Sequence, residues 1–137
     1  MVKFFGYSNL NGMGSLNTNL ELKALRGATT ASANTVESIK LVVKELISEL
    51  VSRNKLQPDQ IVSITFSVTS DLNACFPASI ARQHPGWGKV SLLDCQQMSV
   101  KGDLKKCIRI LAHVWIPYNQ NPQHPYLREA KLLRPDR

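Results

Sequence analysis

The chain is poor in the residues that staple or metallate small domains. Its three cysteines, Cys75, Cys95 and Cys107, are an odd number with no Cys-x-x-Cys spacing. That argues against a disulfide framework or zinc site and for a reducing, cytoplasmic home. The three histidines, His84, His113 and His124, show no ligand spacing, so neither metal nor cofactor is expected. No apolar run approaches the roughly 18 residues that a membrane helix needs. A charged start, apolar core and small-residue cleavage site are missing from the N-terminus, so no secretory leader and no membrane partner are expected. Aromatic residues make up only 7% and are not interleaved with a run of basic ones. No nucleic-acid signature results, and no nucleic-acid partner is expected.

Acidic residues are also scarce. Ten Asp and Glu stand against 17 Lys and Arg, for a net charge of +7. The excess is uneven: from Arg82 onward ten basic residues face four acidic ones, a balance of +6. These cations are separate arginines and lysines at the ends or faces of structured segments. Such spacing suits a small molecule with several carboxylates better than a phosphate backbone, which wants a continuous stripe. The 137 residues and 43% hydrophobic content fit one globular domain, small enough to favour association with further copies.

Residues 1–21 are rich in Asn, Gly and Ser without a sustained period and read as a flexible extension. The working domain is expected over 22–137. Glu21 to Leu25 reads as a first strand ending at Arg26 and Gly27. Asn34 with Glu37 resembles a capping box. Val36, Ile39, Val43, Leu46, Ile47, Leu50 and Val51 then recur at helical spacing to about Asn54. Ile61 to Val68 alternates as a β-branched strand. Pro77 opens a short helix carrying Ile80, Ala81 and Arg82. Trp87 to Leu93, Cys107 to Ile116 and Tyr126 to Leu132 read as three more strands. The expectation is an α+β fold, with one long helix and a short one on a mixed five-stranded sheet.

The strand from Cys107 to Ile116 organises the rest. Ile108, Ile110, Ala112, Val114 and Ile116 face one way, and Arg109, Leu111, His113 and Trp115 the other. Arg109 thus sits on a rigid element among mostly apolar neighbours, where an unpaired charge is costly. It needs an anionic partner, either a structural carboxylate or a ligand. The segment before it holds Asp94, the turn Lys101-Gly102-Asp103, and Lys105 and Lys106.

Four segments in order, RGATT from Arg26, TSDLNACFPASIAR from Thr69, QQMSVKGDLKKCIRIL from Gln96 and HPYLREAKLLRPD from His124, resemble the trimeric, Bacillus-type (AroH class) chorismate mutases. The resemblance spans roughly Leu22 to Arg137. It implies a pseudo-barrel homotrimer with active sites in the clefts between subunits. It also implies the Claisen rearrangement of chorismate to prephenate, on the route to phenylalanine and tyrosine. By the same resemblance, Arg109 stands beside the breaking ether bond, Arg26 binds a substrate carboxylate and Tyr126 assists it. Arg82 and Arg134 surround the cleft mouth, and Phe76, Ala78, Leu92, Leu93 and Leu133 line it. A unimolecular rearrangement needs no nucleophile, metal or proton transfer.

The chain departs from that pattern at Gln97, where the family usually has a glutamate that contacts the ring hydroxyl. Either Asp94, at a position often Cys or Ser in relatives, supplies the missing carboxylate, or Gln97 serves as a neutral acceptor. The alternative function is a non-catalytic trimeric domain that holds a carboxylate metabolite with the same arginines.

Overall fold

Strands form where β-branched residues alternate, and helices where apolar residues recur every three to four positions. In chain order the elements are β1 (Leu20–Thr30), α1 (Val36–Asn54), β2 (Ile61–Val68), α2 (Pro77–Ala81), β3 (Ser91–Gln96) and β4 (Cys107–Pro117). Single 3-10 turns occupy Pro58–Gln60, Trp87–Lys89 and Arg128–Leu133. The computed structural model describes residues 19–134. Most of the expected extension lies outside the described residues, and its last two, Leu20 and Glu21, already belong to β1.

The sheet is mixed and four-stranded, in the order β1-β4-β2-β3. Strand β4 is central and antiparallel to both neighbours, while β2 and β3 run parallel. α1 lies on one face. Its Ile39, Val42, Val43, Leu46, Ile47 and Leu50 bury against Leu25, Ile64, Phe66, Ile108, Ile110, Ala112, Val114 and Ile116. The predicted alternation of β4 holds, because its isoleucine face is the floor of this core.

The opposite face is largely bare. Leu22 is 52% exposed, Leu93 58% and Leu111 37%, and Trp115 is half-buried beside them. Among the described residues only one end of that face is covered. There Leu104, Tyr126, Ala130 and Leu133 pack around Ala28 and Cys107.

Several expectations change. Among the described residues the sheet has four strands rather than the expected five, because Tyr126 makes one isolated parallel bridge to Ala28 and the chain then turns away at Arg128 (φ 52°). The segment still hugs β1: Ala28 N–H donates to Pro125 O at 3.0 Å and Leu127 N–H to Ala28 O at 2.8 Å. Gly27 permits this approach, since a Cβ there would stand 2.6 Å from the Pro125 carbonyl oxygen. Trp87 opens a 3-10 turn, so its strand begins at Ser91 and contains Asp94 rather than ending before it. β1 runs on to Thr30, paired with β4 along its whole length. Thr35, not Asn34, caps α1 by accepting from Ser38 N–H. Asn34 instead accepts from the N–H groups of Asn73 and Ala74. In β2 a register shift between Ile61 and Ser63 leaves Val62 exposed and both Ile61 and Ile64 buried, as a bulge does.

Candidate active site

β4 projects Arg109 from the bare face, and its cross-strand neighbours are small: Ala28 on β1 and Ser67 on β2. The guanidinium therefore has room beside the backbone. Its Nη2 donates to Asp103 Oδ1 at 3.1 Å, and the two side chains are only 26% and 22% exposed. Nη1 is buried and has no hydrogen-bonding partner among the described residues. A buried donor left unsatisfied costs about 1–3 kcal/mol.

Asp103 arrives through a tight turn closed by its own N–H on Val100 O at 3.0 Å. Gly102 takes φ +85° in that turn, a conformation glycine adopts without steric cost. The Leu104 N–H donates to Asp103 Oδ1 at 2.8 Å. Lys106, at φ 48°, then leads into β4 with its N–H on Asp71 Oδ2 at 2.9 Å. Sequence reasoning noticed the turn but missed the pair. The available signal was a Gly-Asp turn six residues before an arginine that needed a carboxylate.

Three more expected residues gather on the same face. Gln97 donates its N–H to Val68 O at 2.7 Å, and its Oε1 accepts from the Ser67 hydroxyl, beside Arg109. Arg26 is exposed and stands opposite Leu111 in the register. Its N–H donates to His124 Nδ1 at 3.0 Å, which ties β1 to the segment carrying Tyr126. Tyr126 packs on the Ala28 and Cys107 cluster with Leu133, and half-buried Arg134 follows. Cys107 is buried beside this group. Burial, outweighing the pull of Arg109, pushes its thiol up to about 11. It stays protonated at neutral pH and is no nucleophile.

The remaining expected residues lie elsewhere. Asp94 stands opposite Phe66 on the helix side of the sheet, and its Oδ1 accepts from Ala78 N–H at 3.0 Å. It thereby pins the start of α2, with Cys75 and Arg82 as electrostatic neighbours. Phe76, before α2, is 70% exposed. Arg82 is the exposed C-cap of α2. Leu92 packs on the core from beside Asp94. Leu93 points to the bare face, opposite Thr65. Thus Arg26, Gln97, Arg109 and Tyr126 share one face, while Ala78, Arg82 and Asp94 cluster around α2 on the other.

Burial raises the Asp94 carboxyl above the ordinary carboxylate value, although the Ala78 N–H and Arg82 pull the other way. A raised folded-state value means that the fold holds this proton more tightly than the unfolded chain. Stability is therefore lost as pH climbs from the ordinary carboxylate value through the raised one. Asp94→Asn keeps the acceptor and removes the charge. It is expected to raise the thermal midpoint at neutral pH and to flatten its pH dependence. Asp94→Ala strands the Ala78 N–H and is expected to lower the midpoint, as thermal denaturation across pH 4–8 would show.

The match to known proteins covers most of the chain. The family model for chorismate mutase type I matches residues 22–137. The chain is 38% identical over 116 residues to chorismate mutase AroH of Bacillus subtilis, covering 84% of this chain and 91% of that one. It is 38% identical over 120 residues to chorismate mutase AroH of Thermus thermophilus, covering 84% and 95%. A solved chorismate mutase from Clostridium thermocellum aligns with a TM-score of 0.74 at 41% identity, over 80% of this chain and 98% of that one.

Proposed function

The chain belongs to the chorismate mutase type I family and isomerises chorismate to prephenate; from that premise we propose that each active site is shared by two copies of the chain. The observation that carries this is the division of the candidate residues between the two faces of one sheet. A single ligand cannot touch Arg109 and Arg82 through a hydrogen-bonded sheet, yet a neighbour's α2 can approach the bare face. That face presents Leu22, Leu93 and Leu111 to solvent beside Trp115 on β4, an apolar patch of the kind that marks an interface. Association that buries this patch closes a cleft between Arg109 of one copy and the Phe76–Arg82 segment of the next. A cyclic homotrimer repeats this head-to-tail contact three times and leaves no open end.

In this reading Arg26, with Tyr126, grips a carboxylate of the dianionic substrate, and Arg82 and Arg134 flank the mouth. Planar forked guanidiniums suit carboxylates. Phe76, Ala78, Leu92, Leu93 and Leu133 shape the wall that presses the enolpyruvyl arm over the ring. Holding that near-attack conformer removes much of the barrier to a unimolecular rearrangement. Arg109 directs its guanidinium at the ether oxygen, where negative charge grows as the bond breaks. We assign the ring-hydroxyl contact to Gln97, which shares the face of Arg109, whereas the Asp94 carboxylate is engaged in pinning α2. The working domain includes β1 from Leu20, and the free cysteines suit the cytoplasm.

Sedimentation at assay concentration tests the reading. The expected species is three times the 15.3 kDa chain and carries all of the chorismate turnover. A monomer that converts chorismate at full rate would end the shared-site proposal.

A further inference from the structure

We propose that Asp103 is a positioning residue for this reaction, a carboxylate on the 100–103 turn that holds the Arg109 guanidinium through Nη2 and so fixes its orientation toward the substrate. The inference rests on the placement of Arg109 at the reacting ether bond.

Four features of the pair support it. Asp103 Oδ1 is fixed from two sides, by the Leu104 N–H at 2.8 Å and Arg109 Nη2 at 3.1 Å. A carboxylate tied to its own backbone acts as an anchor rather than as a drifting counterion. The turn that bears it is itself constrained, through Gly102 at φ +85° on one side and the Lys106 N–H on Asp71 on the other. Both side chains are mostly covered, so water screens the contact less than it screens a surface pair. Finally, the grip is one-sided. A forked pair would engage both terminal nitrogens, but here Nη1 remains buried without a partner among the described residues. The guanidinium plane is thus set by one contact.

The same carboxylate has an electrostatic cost. It places a negative charge 3.1 Å from the cation that meets a dianion, which weakens ground-state attraction. Its benefit must therefore lie in orientation, which acts on the chemical step more than on binding. This opposition separates a positioning role from a merely structural one.

The test measures kcat and KM for chorismate in Asp103→Asn, Asp103→Glu and an Arg109→Ala control. Asp103→Asn is expected to lose about tenfold or more in kcat while KM stays level or falls, in protein with the parent's thermal midpoint. Asp103→Glu restores the charge and is expected to recover most of kcat. A kcat within about twofold of the parent, or a KM that rises as kcat falls, overturns the inference. So does a glutamate variant that recovers nothing, because the loss then comes from the turn. If Asp103→Asn fails to fold, Asp103→Ser is read by the same criteria. Should Arg109→Ala lose activity while Asp103→Asn does not, only this inference falls. Should Arg109→Ala keep its activity, the site reading falls with it.

Discussion

Arg109→Ala is expected to slow chorismate turnover by about 10²–10³-fold, some 2.7–4 kcal/mol of barrier, the range for one preorganised donor aimed at developing charge. The rearrangement uses no attacking group from the protein, so rate comes from restraint of conformation and from fixed charge. Arg109 is built to supply fixed charge. It stands on the central strand with a core of isoleucines beneath it. Small residues flank it on β1 and β2, and one of its nitrogens is already held. Such a donor does not have to reorganise as the ether bond lengthens. Loss of chorismate absorbance gives the rate, and the folded state can be checked independently because Arg109 points away from the core. In the same assay Gln97→Ala is expected to lose roughly tenfold, the low end for a contact to one hydroxyl, while Asp94→Asn keeps turnover. Full activity in Arg109→Ala would remove the electrostatic account.

The second large effect is recovery of activity when two dead variants are mixed. On the shared-site proposal, Arg109→Ala disables the half-site on the bare face, and Arg82→Ala disables the half-site at α2. Each alone spoils every site of its own assembly. In a ring of head-to-tail contacts formed from an equal mixture, about one contact in four joins an intact α2 to an intact Arg109 face. Unfolding and refolding the variants together is therefore expected to restore about a quarter of parental activity, while refolding them apart restores none. Chromatography under dissociating and native conditions checks that subunits have exchanged. Failure to recover activity in proven mixed assemblies would mean that both arginines serve one cleft within a single chain, contrary to their opposite faces.

Much of this site could be read from local pattern. The alternation of β4 placed Arg109 on the face away from the isoleucines because side-chain direction in a strand flips at each residue. The helical stripe of α1 named Ile39, Val43, Leu46, Ile47 and Leu50, which now cover the other face, but it included the exposed Val36 and left out the buried Val42. Gly27 at the end of the first strand lets Pro125 come close, because it carries no side chain. These features follow from the chemistry of neighbouring residues, so a single stretch of chain determines them.

What only the tertiary structure decided was partnership across long sequence distances. Asp94 and Gln97 lie three positions apart, yet one reaches α2 and the other Ser67, because the parallel register with β2 sets which face each meets. The Arg109 carboxylate is Asp103, delivered by a turn whose geometry no periodicity encodes. The last expected strand shrank to one bridge because β1 has an edge free for it but Arg128 bends the chain away. By itself the sequence determined an α+β domain of the chorismate mutase type I family, with a cation fixed on its central strand. The fold alone showed that Arg26 shares the face of that cation while Arg82 stands behind the sheet, since hydrogen-bond register, not residue type, assigns each side chain to a face.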